Sequence, residues 1–307
     1  MPQSLNIIGA GRVGRTLAGL WQRAGVFVIG DVLSRTADRA LGAVAFIGAG
    51  RATMRLENMR AADVWMVTTP DDAIASAAAA LAAARLVRSG DVVFHCSGAL
   101  SSAELAPAAQ HGARIASVHP VKSFVDPQRE LARFPGTWCA AEGDPEALAR
   151  LESAFERIGA RVAKIEAASK LLYHAGNVLA SNDLIALVAA ALRCYAEAGI
   201  APEAAIAMIE PLLRESLANA LALGGAQALT GPVARGDAGL VTRQLDALYK
   251  ADPQIAAVYR ALGDIAVRLA REKGEASTAA LDAIARLFSG SRGAGVESPH
   301  SNRRGSS

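Results

Sequence analysis

The sequence predicts an α/β fold in which a doubly wound, mostly parallel sheet is followed by an all-α C-terminal domain. Short apolar runs alternate with helical segments over residues 1–166. Beyond residue 166 the strand-like runs stop, and alanine- and leucine-rich helical segments follow. The chain has 307 residues, of which 52% are hydrophobic, so it can form two domains with separate cores.

The first strand runs directly into a glycine turn, LNIIGAGRVG, over residues 5–14. A strand, the pattern G-x-G-x-x-G and a helix in this order predict a Rossmann-like dinucleotide-binding domain. Gly9 would allow a tight turn, Gly11 a close approach of phosphate, and Gly14 close packing of the helix on the strand. The predicted cofactor contacts in this turn are Gly9, Gly11, Arg12, Val13 and Gly14. A purely structural glycine turn is the alternative.

The end of the second strand, Val26–Leu33, indicates which dinucleotide binds. In this fold an acidic residue at that position binds the adenosine ribose of NAD, whereas a cation there accommodates the 2′-phosphate of NADP. The strand is followed by Ser34, Arg35 and Thr36, and Asp31 lies inside it. We therefore predict NADP (NADPH), bound at Ser34, Arg35 and Thr36, although Arg35 could simply begin a solvated helix.

Further strands are predicted at residues 44–47, 63–69, 91–96, 114–118, 137–140 and 161–165. Ligands of such sheets bind beyond the carboxyl ends of the strands. We therefore predict that Thr69 and Pro70 contact the cofactor and that Ser97, Gly98 and His119 bind substrate. Each has a structural alternative: a helix start at Thr69-Pro70, a turn cap at Ser97, and a buried, hydrogen-bonded ring at His119. His95 and Cys96 are predicted to be structural.

Composition and charge exclude several classes of protein. The net charge of +3 is too small and too dispersed for a nucleic-acid or anionic-membrane surface. The apolar stretch at residues 73–84 is too short to span a bilayer, and the first strand leaves no room for a signal peptide. The three cysteines, Cys96, Cys139 and Cys194, fit neither a disulfide framework nor a metal site. We expect a cytoplasmic protein without metal.

The C-terminal half is predicted to be helical. Residues 166–198 form one long helix or a broken pair, and Pro202 starts the next. Further helices are expected at residues 211–223, 238–250, 253–273 and 277–288. Residues 289–307, rich in Gly, Ser and Arg, are predicted to be disordered.

One narrow polar stripe lies along the first long helix. Lys170, His174, Asn177 and Ser181 lie within about 60° of one another on a helical projection, and the rest of the segment is apolar. A solvated face would be wider and more highly charged. We predict that Lys170, His174 and Asn177 are catalytic, with Lys or His moving a proton; a structural stripe is the alternative.

A second candidate lies in the loop LTGPVARGD at residues 229–237. Asp237 is predicted to be an N-cap. Arg235, between small residues, is a candidate for a substrate carboxylate or for a structural ion pair.

These motifs resemble a family of NADP-dependent oxidoreductases that join a Rossmann-like domain to a helical domain of unknown function. The matching runs are IIGAGRVG, VLSRTADRA, TTPDDAI, CSGALSS, SVHPVKSF, KLLYHAGNVLASN and LTGPVARGD. In build the family is similar to pyrroline-5-carboxylate reductase, ketopantoate reductase and the β-hydroxyacid dehydrogenases. The resemblance implies a homodimer formed through the helical domain.

The same resemblance extends to two parts of the site. Ser97-Gly98 is similar to the substrate loop of the β-hydroxyacid dehydrogenases, and Lys170 matches their catalytic lysine. Those enzymes have an asparagine four residues after the lysine, where this chain has His174.

The resulting hypothesis is an NADP-dependent oxidoreductase acting on a small, carboxylate-bearing metabolite. Its domains would be a dinucleotide-binding domain (1–166) and a helical substrate and dimerisation domain (167–288). A non-catalytic NADP-binding sensor or partner protein and an imine reductase of the pyrroline-5-carboxylate type are the alternatives.

Overall fold

The computed structural model describes residues 2–290. In this part of the chain, eight strands form one sheet in the order β3-β2-β1-β4-β5-β6-β7-β8. All neighbouring strands are parallel except β6 and β7, which are antiparallel. The strands are Ser4–Ile8 (β1), Val28–Leu33 (β2), Arg51–Thr53 (β3), Val64–Val67 (β4), Val92–His95 (β5), Arg114–Pro120 (β6), Trp138–Gly143 (β7) and Arg161–Lys164 (β8). The predicted fold class is confirmed.

The helices follow the strands and then continue alone. They are Arg12–Arg23 (α1), Ala37–Ile47 (α2), Ile74–Ala83 (α3), Ala106–Ala109 (α4), Pro127–Arg133 (α5), Pro145–Glu156 (α6), Lys170–Val178 (α7), Leu184–Glu197 (α8), Pro202–Leu223 (α9), Gly225–Ala228 (α10), Gly231–Ala234 (α11), Ala238–Ala251 (α12), Pro253–Lys273 (α13) and Thr278–Ser289 (α14). Short 3-10 segments cover Leu56–Asn58, Asp71–Ala73, Ser102–Leu105 and Ala167–Ser169, and a π-helical segment covers Leu179–Asp183.

Both faces of the sheet are buried, as expected when crossover helices cover a parallel sheet. In β4, Val64 and Met66 belong to one core cluster and Trp65 and Val67 to the other. This alternation follows from the two-residue period of a strand. Trp21 of α1 anchors the first cluster, and its indole N–H donates to the Ala154 carbonyl at 2.9 Å.

The third strand is not where the sequence predicted it. Residues 44–47 form the end of α2, and the strand is Arg51–Thr53. Val44, Phe46 and Ile47 favour a strand locally, but Ala40, Ala43 and Ile47 form a helical face that is buried in the structure. Tertiary burial of that face therefore overrides the local preference.

Helix α1 begins at Arg12, which brings its N-terminus to the glycine turn. One predicted helix boundary differs from the structure. The helix predicted at residues 211–223 is the second half of α9, because Pro211 lies inside one continuous helix. The long segment after residue 166 is interrupted only by the π-helical turn at Leu179–Asp183.

The chain divides into two compact units, the first ending at Asn182 and the second beginning at Asp183. The second unit has its own core, centred on Val241, Val267, Ile284 and Phe288. The boundary predicted after residue 166 would assign α7 to the helical domain, whereas the structure groups α7 with the sheet. Of the tail predicted to be disordered, residues 291–307 lie outside the described residues.

Among residues 2–290, one helical segment, Ala167–Glu197, is long and apolar enough to cross a membrane by length and composition alone. Lys170, in its first turn, donates a hydrogen bond to the Ser97 carbonyl in the sheet-containing unit. The start of this segment therefore packs on protein.

Candidate functional site

The glycine turn after β1 leaves open space where the sequence predicted a phosphate. Gly9 has φ +96°, and a Cβ there would lie 2.7 Å from the Thr68 backbone. A Cβ on Gly14 would lie 2.3 Å from Thr68 Oγ1. By contrast, a Cβ on Gly11 would meet only the Thr68 carbonyl oxygen, at 3.9 Å. Gly9 and Gly14 are therefore required by packing, and Gly11 keeps the space beside the turn open.

The N-terminus of α1 faces this turn without a side-chain cap. Its N-cap residue is Gly11, which has no side chain to accept a hydrogen bond. The N–H groups of Arg12, Val13 and Gly14 have no acceptor within the helix, because the first turn of any helix lacks them. Such a terminus binds anions through these groups and the helix dipole, so the turn fits a dinucleotide pyrophosphate.

Asp31, the acidic residue of β2, is engaged within the protein. It is fully buried and accepts paired hydrogen bonds from the guanidinium groups of Arg51 and Arg60, at 2.7–3.3 Å. Burial alone would raise the pKa of Asp31, but the hydrogen bonds from Arg51 and Arg60 outweigh it and hold that pKa below its usual range. Asp31 is therefore not placed to bind a ribose.

The residues after β2 lie at the carboxyl edge of the sheet beside β3. The Ser34 N–H donates to the Thr53 carbonyl at 3.1 Å, and Thr36 Oγ1 accepts from Arg39 N at the start of α2. Arg35 is exposed. Arg55 lies two residues after the end of β3, the strand paired with β2, and it is also exposed. Its guanidinium lies 3.6 Å from the exposed carboxylate of Glu57. The sequence does not indicate Arg55, because residues 44–47 rather than Arg51–Thr53 are predicted as the third strand.

The ends of β4 and β5 are joined by a side-chain hydrogen bond. Ser97 Oγ donates to the Asp71 carboxylate at 2.8 Å and accepts from the N–H groups of Ala99 and Leu100. Thr69 Oγ1 is buried without a hydrogen-bond partner among the described residues. Pro70 precedes the short helical turn that leads into α3. Ser97 therefore both caps its own turn and fixes the turn relative to Asp71.

His95 has a structural role, as predicted. Its Nδ1 accepts from the Ser97 N–H at 3.1 Å and its Nε2 lies 3.0 Å from the Ser101 carbonyl. It is fully buried, and burial lowers its pKa. Burial also raises the pKa of the Cys96 thiol, so this cysteine is not an activated nucleophile.

Lys170 is enclosed beneath the Ser97 turn. Its side chain is 1% exposed, and Nζ donates to the Ser97 carbonyl at 3.0 Å and to Ser117 Oγ. The Glu142 carboxylate lies 3.8 Å from Nζ and accepts two hydrogen bonds from Ser102, at 2.7 and 2.8 Å. Burial lowers the pKa of Lys170, and the charge of Glu142 opposes this. With three acceptors around Nζ, this ammonium group is held inside the protein.

Three side chains that can transfer protons lie close together near Gly98: His119, Tyr173 and His174. His119, from the end of β6, lies with Nδ1 2.8 Å from the Tyr173 hydroxyl. The His119 and His174 rings are edge to face, with centroids 5.9 Å apart. A Cβ on Gly98 would lie 2.5 Å from His174 Nδ1 and 2.9 Å from His119 Nε2. Gly98 therefore permits the two rings to pack against the turn.

Two residues of the predicted stripe remain: Asn177 lies in the candidate site, and Ser181 lies at the surface. Burial raises the pKa of Tyr173, and Asn177 Nδ2 is buried without a hydrogen-bond partner among the described residues. Ser181 is exposed and donates to the Asn177 carbonyl of its own helix. The π-helical turn changes the helical register here, so Ser181 does not extend the stripe. Tyr173, which sequence analysis missed, lies next to His174 in the chain.

Arg235 belongs to the second compact unit. It is exposed, and its side chain forms neither a hydrogen bond nor an ion pair with the described residues. Asp237 Oδ1 accepts from Leu240 N at 2.9 Å and caps α12 as predicted. The role of Arg235 toward a substrate stays a prediction.

Two family models match successive parts of the sequence. A Rossmann-like domain model matches residues 2–120, and the model of a domain of unknown function, DUF2520, matches residues 137–266. Together the two matches give a Rossmann-like N-terminal domain followed by a DUF2520 domain. The DUF2520 match contains Glu142, Lys170, Tyr173, His174 and Asn177, whereas the glycine turn, Ser97 and His119 lie in the Rossmann-like match. The site therefore draws on both.

Solved structures share this architecture over most of the chain. Protein TM1727 from Thermotoga maritima is 28% identical, with a TM-score of 0.69, covering 88% of this chain and 99% of that one. A proposed NADP oxidoreductase, BF3122, from Bacteroides fragilis is 22% identical, with a TM-score of 0.69 and coverages of 89% and 98%. An imine reductase from Pseudomonas sp. is 18% identical, with a TM-score of 0.61 and coverages of 94% and 99%. The last two show a shared fold. Comparison with curated proteins gave no match.

Proposed function

We propose that the protein is an NADP-dependent oxidoreductase that transfers a hydride between the nicotinamide and a small, carboxylate-bearing metabolite. The observation that carries this proposal is an open glycine turn on the same sheet edge as a cluster of His119, Tyr173 and His174. In the sheet order, β5 lies two strands from β1. At strand spacings near 4.8 Å this separation is roughly 10 Å. A dinucleotide extended along the edge would therefore reach the Ser97 turn.

The chain's own residues suit each part of that cofactor. The glycine turn and the start of α1 would hold the pyrophosphate, with Gly11, Arg12 and Val13 closest to it. Thr69 and Pro70 would contact the cofactor beyond β4. The bound nicotinamide would supply the hydride chemistry that no side chain provides.

The choice of NADP over NAD rests on charge at the ends of β2 and β3. Asp31 is committed to Arg51 and Arg60, whereas Arg35 and Arg55 are exposed on adjacent strand ends. Two guanidinium groups suit a 2′-phosphate, which accepts paired hydrogen bonds. Ser34 and Thr36 add polar groups to the same edge.

For the substrate, we propose that Ser97, Gly98 and His119 line the binding site and that Asn177 orients the reacting group. Sequence analysis proposed Lys170 or His174 as the proton-transfer residue. The enclosure of Lys170 by Ser97, Ser117 and Glu142 favours His174 and gives Lys170 the role of fixing the Ser97 turn. Arg235 is the proposed partner of a substrate carboxylate.

A homodimer would cover the apolar surface that a single chain leaves exposed. Helices α7 to α9 expose Leu172, Ile185 and Leu221, each more than 70% accessible. The second unit also has an apolar groove of about 580 Å³, lined by residues that include Leu187, Tyr195 and Leu262. Exposed apolar areas of this kind mark interaction surfaces. We propose a second copy as the partner and, from the three free cysteines, a reducing cytoplasmic location.

The proposal is tested by titrating the purified protein with NADPH and following NADPH oxidation with a panel of 2-keto acids and cyclic imines. Binding with turnover on a 2-keto acid supports the dehydrogenase function. Oxidation by pyrroline-5-carboxylate but not by 2-keto acids supports the imine reductase alternative. Tight binding without turnover on any compound supports a sensor, and failure to bind NADPH overturns the proposal.

A further inference from the structure

The proposed roles place His119 in the substrate site but give no role to its contact with Tyr173. The Tyr173 hydroxyl lies 2.8 Å from Nδ1 of His119, and their rings are edge to face with centroids 5.7 Å apart. Asn177 lies one turn later on α7, and its Nδ2 is buried without a hydrogen-bond partner among the described residues. In the tautomer of His119 that is protonated on Nε2, Nδ1 is an acceptor and can take a hydrogen bond from the Tyr173 hydroxyl.

The second nitrogen of His119, Nε2, forms no hydrogen bond with any group among residues 2–290. It is not fully buried, and it lies beside Gly98 and near the His174 ring. A ring with one nitrogen bound by a hydroxyl and the other open can transfer a proton outward.

The charged groups around His119 favour its neutral form. The cation of Lys170 and the ring of His174 lie on α7, and the carboxylate of Asp71 follows β4. Burial, together with Lys170 and His174, lowers the pKa of His119 to about 4, and Asp71 only partly opposes this. The ring therefore carries one proton near neutral pH, and the site of that proton depends on Tyr173.

We propose that His119 is a neutral proton donor of this site and that Tyr173 is its positioning residue, donating to Nδ1 so that Nε2–H points outward. The proposal rests on the proposed function, because it supplies the proton that a carbonyl or imine reduction requires. This proposal assigns to His119 the proton transfer that was proposed above for His174. His174, with a ring beside the same glycine, would then bind or orient the substrate.

The proton transfers balance with water as the only other reactant. When the substrate oxygen or nitrogen takes up a proton, the Nε2–H bond of His119 breaks and a bond to the substrate forms. The Tyr173 O–H bond breaks and its proton moves to Nδ1, so the imidazole is neutral before and after. Tyr173 is left transiently as a tyrosinate and takes a proton from water, which releases hydroxide. The ring returns to the first tautomer when Nδ1 loses its proton to solvent and Nε2 takes one up.

The first test reads the tautomer of His119 without substrate or cofactor. The full-length protein, labelled with ¹⁵N-histidine, is studied by NMR near neutral pH, and the His119 signals are assigned by their loss in His119→Gln. We expect Nε2 to be protonated and Nδ1 to be unprotonated in the native protein, and a mixture of tautomers in Tyr173→Phe. Tyr259→Phe, which removes another hydrogen-bonded tyrosine hydroxyl, is the matched control and should leave His119 unchanged. A native His119 protonated on Nδ1 overturns the proposal.

The second test uses any compound from the panel that supports turnover. Tyr173→Phe should lower kcat by about 10-fold or more, the scale of lost acid catalysis, with NADPH affinity unchanged. Unchanged kcat in Tyr173→Phe, with a large loss in His174→Gln, would overturn the role of His119 while leaving the oxidoreductase function intact. If no compound is turned over, the oxidoreductase function fails, and the tautomer test still decides the hydrogen-bond arrangement.

Discussion

Lys170 has the residue type and helical spacing of a catalytic group, but its contacts indicate a structural role. Its spacing with His174 and Asn177 predicts a shared polar face, and the Lys170 and His174 side chains both lie against the Ser97-Gly98 turn. However, Nζ contacts Ser97, Ser117 and Glu142 and is closed to solvent. A buried cation with a nearby carboxylate costs free energy when either partner is removed, because the other charge remains unpaired.

We therefore predict that Lys170→Met lowers the free energy of unfolding by about 3 kcal/mol, the scale for breaking a buried ion pair. Glu142→Gln should also destabilise the protein, and the double variant should lose less than the sum of the two. Urea unfolding at neutral pH measures all three. The control is Lys164→Met, which breaks the exposed pair with Glu152 and should cost less than about 1 kcal/mol. An equal loss of unfolding free energy in Lys164→Met and Lys170→Met would contradict the structural role of Lys170.

The depressed pKa of His119 predicts a pH-dependent stability. The unfolded chain binds a proton at this histidine below about 6.5, its ordinary value, whereas the folded protein does so only below about 4. Stability should therefore fall as pH drops from about 6.5 to about 4, by on the order of 3 kcal/mol, and level off below. Urea unfolding across this range measures it. His119→Gln should show a smaller decrease, and an identical pH dependence in both proteins would refute the shift.

A side chain added at Gly98 would collide directly with His174 and His119. A Cβ would lie 2.5 Å from His174 Nδ1, too close for the ring to remain in place. We expect Gly98→Ala to lower turnover by about 10-fold or more, because a displaced acid or base is no longer within hydrogen-bond distance of the substrate. NADPH should bind as before. Gly90→Ala, at a glycine with no neighbouring atom within 4 Å, controls for the general effect of added bulk, although its φ of +85° adds strain. Thermal unfolding of both variants separates loss of activity from loss of fold.

At the scale of elements, the ends of β2 and β3 determine the proposed cofactor preference. We predict that Arg35→Ser and Arg55→Ser each weaken NADPH binding by about 10-fold, the loss expected for one charge-assisted contact. NADH binding should hardly change, since NADH has no 2′-phosphate. Fluorescence titration with both cofactors measures the ratio. Arg23→Ser, at the far end of α1, is the matched control. An unchanged NADPH-to-NADH ratio in both test variants would remove the NADP assignment.

Local sequence signals fixed most elements because the apolar period and the turn residues agreed. The glycine turn, the strands near residues 64 and 92, and the cap at Asp237 are of this kind. Residues 44–47 failed because β-branched and aromatic side chains favour a strand locally, while the buried face of α2 requires a helix. With the third strand misplaced, Arg55 could not be linked to Arg35.

At the scale of the whole molecule, the exposed apolar helix faces predict self-association. We expect sedimentation to show a dimer at micromolar concentration, because apolar faces of this extent are stable when covered. Ile185→Asp and Leu221→Asp should shift the protein toward monomer, since a buried carboxylate at an interface is unfavourable. Leu41→Asp, at an exposed apolar residue of α2, should leave the association state unchanged. A monomeric wild-type protein would contradict the proposed dimer.

The sequence by itself determined the doubly wound sheet, the glycine turn and the helical C-terminal half, because these depend on periodicity and on residues with special backbone freedom. It also indicated Lys170, His174 and Asn177, whose helical spacing is local. Only the tertiary structure decided that Lys170 is enclosed, that Asp31 is held by Arg51 and Arg60, and that Tyr173 meets His119. These contacts join residues 20 to 73 positions apart. Their distances depend on strand order and packing, which no local pattern encodes.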